Sequence, residues 1–168
     1  MSDLQPRIEN VQRIAVLRAN ALGDLVFALP ALEALSAGYP QAEIVLLGLP
    51  WHAAFLRGRP GPVDRVEVVP LYEGIREEAG REANAAEQER FFAAMAREHF
   101  DLALQIHGGG RNSNPFVLRL GARVTAGLRT PDAAPLDRWL AYLYWQPEVH
   151  RYLEVMGLVG ARPAAFEP

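Results

Sequence analysis

Short apolar runs recur along the chain, separated by stretches of helical periodicity. Residues 14–17 read Ile-Ala-Val-Leu, 44–47 Ile-Val-Leu-Leu and 102–106 Leu-Ala-Leu-Gln-Ile. Runs this short and this apolar fit strands buried on both faces, as in a parallel sheet. Residues 65–69 alternate more openly, and residues 124–126 suggest a further small strand. An almost wholly apolar helix is expected to start at or near Asp24 and to stop at Gly38-Tyr39-Pro40. Pro30 falls inside it, where it removes a backbone hydrogen bond and bends the axis. A short helix over 51–57 follows. Over 85–99, Phe91, Phe92, Met95 and Ala96 recur at helical spacing as a core stripe. Further helices are expected over 115–120 and 148–158, the last with Val149, Tyr152, Leu153 and Met156 on one face. Residues 71–90 are rich in glutamate and broken by Gly74 and Gly80, which predicts a mobile or weakly helical connection with a solvated face. Strands alternating with helices predict βαβ units with right-handed crossovers. The expected fold is α/β: a Rossmann-like, mainly parallel sheet with flanking helices.

Ligands of open α/β sheets bind in the loops at the carboxyl ends of strands. Two such loops carry chemistry. The first follows residue 17 and holds Asn20, Gly23 and Asp24. Asp24 is open to two readings: a helix cap that accepts a first-turn N–H, or a carboxylate facing a ligand. Gly23 suits a turn that needs a positive φ. The loop has neither the G-x-G-x-x-G of a dinucleotide site nor the G-x-x-x-x-G-K-[ST] of a P-loop. The second loop reads His107-Gly-Gly-Gly-Arg-Asn-Ser-Asn-Pro115. Its glycines let backbone N–H groups approach a ligand, while Arg111, Asn112 and Asn114 supply donors for hydroxyl or phosphate oxygens. A plain loop closed by an Asn-Pro turn accounts for the same residues. His107-Gly-Gly-Gly also matches the oxyanion-hole motif of some esterases, which requires a G-x-S-x-G elbow. Ser2, Ser36 and Ser113 lack those flanks, so a hydrolase of that kind is excluded. His52, His99, His107 and His150 show no metal-ligand spacing. Trp51 and His52 are candidates for the rim of the same cleft. Trp139, Tyr142, Tyr144 and Trp145 suit sugar stacking, but also a packed helix face or an interface.

Composition narrows the classes. A length of 168 residues suits one domain, 1–168, with half of the chain hydrophobic. The net charge of −3 gives no basic footprint for nucleic acid. Without cysteine there is no disulfide and no Cys-based metal site. All 17 basic residues are arginine, so no lysine is available for catalysis. No apolar run approaches a membrane span of about 20 residues, and the N-terminus is polar rather than leader-like. The expected compartment is the cytoplasm.

Arg18-Ala-Asn-Ala-Leu-Gly-Asp24, followed by Leu29-Pro30-Ala31-Leu32, resembles the opening signature of the family 9 glycosyltransferases, the heptosyltransferase-like enzymes of GT-B fold. The likeness continues at residues 101–108 and 111–114, at 123–130 and at 151–160. His107 departs from it, standing where many members carry glutamine or another polar residue. The resemblance implies the N-terminal, acceptor-side half of a GT-B enzyme, with the C-terminal donor domain absent from this chain. It implies inverting transfer of a sugar from a nucleotide-sugar, typically ADP-heptose, to a lipopolysaccharide-type glycan. Asp24 would be the general base. Asn20, Gly23, His107, Gly108, Arg111, Asn112 and Asn114 would lie on the acceptor side. No cofactor and no metal are implied. The isolated half is expected to be inactive, to meet the inner face of the cytoplasmic membrane only through its acceptor, and to self-associate through its uncovered inter-domain face. A stand-alone nucleotide- or sugar-binding module without turnover is the alternative.

Overall fold

The computed structural model describes residues 5–163. The strands are β1 (Arg13–Leu17), β2 (Glu43–Gly48), β3 (Arg65–Val68), β4 (Leu102–Gln105), β5 (Val124–Arg129) and β6 (Arg138–Ala141). They form one sheet in the order β3-β2-β1-β4-β5-β6, and every neighbouring pair is parallel. The order reverses between β1 and β4, which is the topological switch point of a doubly wound sheet. The helices are α1 (Leu22–Gly38), α2 (Pro50–Leu56), α3 (Ala85–Arg97), α4 (Ser113–Leu118) and α5 (Glu148–Gly157). No helix among the described residues is long and apolar enough to cross a membrane.

Alternation along the strands divides the core in two. Ile14, Val16, Ile44, Leu46, Leu102 and Leu104 point to one face, where α1, α2 and α5 pack. Ala15, Leu17, Val45, Leu47 and Ala103 point to the other, beneath α3 and α4. Both faces are covered, so the central strands are continuously apolar.

α1 starts near Asp24, as expected. The helix begins at Leu22, with Ala21 at the N-cap and Asp24 three residues in. Asp24 reaches back to the Ala21 N–H (3.0 Å), and thus supplies the acidic half of a capping box in which alanine contributes no side-chain acceptor. Gly23 is helical and has no positive φ; a Cβ there would meet nothing within 4 Å. α1 runs through Pro30 to Gly38, and the Tyr39 N–H closes on the Leu35 carbonyl.

Residues 71–84 contain no helix, yet they are tied down. Ile75 is buried, Arg76 donates to the Val69 carbonyl (2.7 Å), and Gln88 donates to the Leu71 carbonyl (2.7 Å). The aromatic stretch before α5 also differs from a helix face: Trp139 and Leu140 lie on β6.

Candidate functional site

The loops after β1 and β4 meet at the switch point, and buried polar side chains join them. The Ala19 N–H donates to His107 Nδ1 (3.2 Å), and the Ile106 N–H donates to the Leu17 carbonyl (3.4 Å). Because Nδ1 accepts, Nε2 carries the proton, and it donates to the Gly74 carbonyl at 3.1 Å. His107 therefore pins three segments together: the β1 loop, the β4 loop and the turn at residue 74. Burial holds its pKa below the ordinary histidine value. Both ring nitrogens are committed to backbone, which corrects the expectation that His107 faces an acceptor.

Asn114 requires the same correction. It is fully buried, and its amide binds the Leu128 (3.2 Å) and Ala134 (2.8 Å) carbonyls. Its oxygen accepts from Gln105 Nε2 at 2.8 Å. Gln105 is buried at the end of β4; its own oxygen accepts from the His107 N–H, and its amide also reaches the Leu128 carbonyl. Gly110, at φ 96°, lets the backbone cross directly over the Asn114 amide, where a Cβ would stand 2.5 Å away. Asn114 is thus internal scaffolding that sets the second loop.

The remaining expected residues lie in the loops after β1 and β4 and at the head of α1. Asn20 is half-buried, Gly23 and Gly108 are exposed, and Asp24 is partly exposed. Arg111 projects into solvent, 3.9 Å from Asp132. Asn112 packs against Gly74, at φ 69°, where any Cβ would clash with its amide. Arg111 and Asn112 line a hollow of about 260 Å³ with Tyr72, Glu73, Gln88 and Pro115. A somewhat larger hollow, about 330 Å³, lies by the amino end of β3 among Ala53, Leu56, Val63 and Arg65, away from the carboxyl-end loops. The convergence of loops, helix N-termini and charged groups places the candidate site at the switch point instead.

At the centre of that site is a residue that composition did not single out. Arg18, immediately after β1, has a side chain only 3% exposed. It donates to the Ile106 carbonyl (2.9 Å) and, through Nη2, to Asp24 Oδ1 (2.7 Å) and Glu148 Oε2 (3.3 Å). Its guanidinium lies over the ring of buried Tyr152, 4.9 Å from the centroid. Asp24 and Glu148 each sit in the first turn of a helix, where the dipole favours a carboxylate. The sequence signal for Arg18 was a charged residue closing a wholly buried strand. Glu148 left no comparable signal.

His52 is not at the rim of the cleft. It is fully buried in α2, accepts the Leu49 N–H at Nδ1 (2.9 Å) and stacks on Trp51. Burial first, and then the positive field of Arg18, lower its pKa to about 4 from 6.5. A depressed histidine pKa stabilises the fold above the unfolded value, and that contribution is lost as pH falls from about 6.5 towards 4, where only the unfolded chain takes up the proton. The full effect is about 3 kcal/mol. Urea titrations from pH 7 to pH 4 are expected to give a smaller loss of stability for His52→Asn, which retains a side-chain acceptor for Leu49. A loss as steep as that of the native chain would contradict this.

No protein-family model matches the chain, and no curated protein matches it. Solved structures do. A glycosyl transferase family 9 protein from Veillonella parvula aligns over 89% of this chain and 41% of its own, with a TM-score of 0.70 and 17% identity. The E. coli heptosyltransferase WaaC, solved with ADP, aligns over 93% of this chain and 50% of its own, with a TM-score of 0.69 and 21% identity. E. coli ADP-heptose lps heptosyltransferase II aligns over 86% and 40%, with a TM-score of 0.68 and 19% identity. The fold is that of the family 9 glycosyltransferases. At these identities the likeness is one of architecture, and the chain spans about half the length of the structures it matches, or less. The Rossmann-like expectation is thus met, with the sheet parallel throughout rather than mainly so.

Proposed function

We propose that the chain is the acceptor-side, N-terminal half of a GT-B glycosyltransferase of heptosyltransferase type. The observation that carries this reading is the placement of Asp24. It stands at the carboxyl end of β1 and the head of α1, beside the switch point, with 29% of its side chain exposed. Asn20 and Gly23 from its own loop and helix head, with Gly108, Arg111 and Asn112 from the second loop, would form the surface for a glycan of the lipopolysaccharide-core class. The donor, ADP-heptose or another nucleotide-sugar, would be held mainly by a second domain.

Asp24 acts as base in this reading. Each carboxylate oxygen has about two acceptor sites, so Oδ1 and Oδ2 keep room for a substrate hydroxyl while bonded to Arg18 and Ala21. The acceptor O–H proton passes to Asp24 as the oxygen attacks the anomeric carbon. The bond from that carbon to the phosphate oxygen breaks with inversion, and the nucleoside diphosphate leaves with the electron pair. No metal and no cofactor enter the scheme. The chain alone would bind acceptor without turnover, at the inner face of the cytoplasmic membrane where such a glycan is built. The half-exposed Leu22, Val26 and Phe27 at the head of α1 would be covered by the donor half, or by a second copy.

One observation favours a second reading. Both oxygens of Asp24 already have protein partners, as in a purely structural clamp. A binding module without turnover would carry that arrangement unchanged. Amide chemical shifts of the chain decide whether acceptor binds here. A lipopolysaccharide-core oligosaccharide is expected to shift the signals of Asn20, Gly23, Asp24, Gly108 and Arg111, while ADP leaves them in place. Shifts at these residues with ADP alone would overturn the acceptor-side assignment.

A further inference from the structure

Arg18 is deeply buried, yet two carboxylates share one of its nitrogens. Asp24 comes from the same loop–helix unit, whereas Glu148 comes from α5, 130 residues further along the chain from Arg18. A structural ion pair needs only one of them. Glu148 also stands beside buried Arg151, so two carboxylates balance two guanidinium groups here, and one of those carboxylates is the residue proposed to take up a proton.

Resting on the reading of Asp24 as base, we infer that Glu148 is a positioning residue that keeps Arg18 compensated while Asp24 is neutral. Before transfer, Asp24 and Glu148 flank one guanidinium. When the acceptor proton moves to Asp24, that carboxyl becomes neutral and its ion pair with Arg18 is lost. Glu148, already 3.3 Å from Nη2, leaves the guanidinium paired. Without Glu148 the same proton transfer would strand a buried positive charge, which is strongly unfavourable. Nearby groups reinforce the assignment. Tyr152 lies under the guanidinium, and burial pushes its hydroxyl pKa up, so the phenol stays neutral and offers Arg18 no compensating charge. His52 is held neutral. Arg151 stands 3.8 Å from the other oxygen of Glu148 and holds that carboxylate from its far side. The Ile106 carbonyl orients Arg18 without neutralising it.

The test has two arms. In the chain itself, Asp24→Asn, Glu148→Gln and the double substitution are compared by thermal unfolding. Each single substitution leaves Arg18 one carboxylate, so the double is expected to lower Tm by at least ~2 °C beyond the sum of the two. Additive losses would overturn the shared pairing. With a donor-binding half present, Glu148→Gln is expected to lower kcat about tenfold, roughly 1.4 kcal/mol in the barrier, with KM unchanged. Glu148→Asp should recover part of that loss, which a merely structural role does not predict. Unchanged kcat in Glu148→Gln beside an inactive Asp24→Asn would overturn the role of Glu148 alone. Full turnover in Asp24→Asn would overturn the base reading beneath it.

Discussion

Asp24→Asn is expected to lower sugar transfer by about 10²–10⁴-fold, the usual contribution of a positioned general base. The amide is the same size but cannot take the acceptor proton. The fold should survive, because Glu148 still pairs with Arg18 and the asparagine oxygen can still accept from Ala21 or Arg18. The variant should therefore bind acceptor as the native chain does and keep a Tm within a few degrees of it. Measuring transfer and acceptor affinity on the same preparation separates chemistry from binding. Native turnover would refute the base assignment. Lost acceptor affinity with unchanged kcat would make Asp24 a binding group instead.

Asn114→Ala is expected to have the largest effect on stability. It removes a side chain that satisfies two carbonyls and the Gln105 amide, all in the buried seam between β4, β5 and the following loops. Leaving such groups unpaired costs about 1–3 kcal/mol each, although the Gln105 amide can still reach the Leu128 carbonyl. A net loss of about 3 kcal/mol corresponds to a fall in Tm of roughly 6–12 °C for a chain of this size. Equilibrium unfolding in urea measures it. A loss under about 0.5 kcal/mol, the range of an exposed substitution, would show that the seam is satisfied by other means.

The contrast between these two residues explains how far the sequence could be read. Strands β1, β2 and β4 were plain because burial on both faces removes polar residues altogether, and the two loops followed from their positions after those strands. The direction of a loop side chain has no such signature. Asn114 precedes Pro115 and reads as a turn residue, yet α4 starts just before it and carries its amide inward. His107 also looked available because it opens a glycine run, but its ring turns back to join backbone from two other segments. Asp24 resembled an N-cap because acids and helix starts usually coincide, whereas its partners are a buried arginine and the N–H behind it. Glu148 was invisible for a simpler reason: only the packing of α5 against α1 brings it to Arg18. β6 was missed because it opens the aromatic run Trp139 to Trp145, which reads equally well as a packed helix face, and its own residues are only partly buried.

The strand order also governs how the chain reaches its fold during synthesis. β1 is central, but its partner β4 arrives late: Arg18 and the Ile106 carbonyl it binds are 88 residues apart. Until β4 leaves the ribosome, one edge of β1 is unpaired and α1, apolar almost all round, has only part of its cover. Such long-range parallel pairing is intrinsically slow, and the waiting intermediate exposes strand edge and apolar surface. A nascent chain stalled before residue 102 should therefore be a substrate for holdase chaperones, whereas one that has released β4 can pair both edges of β1.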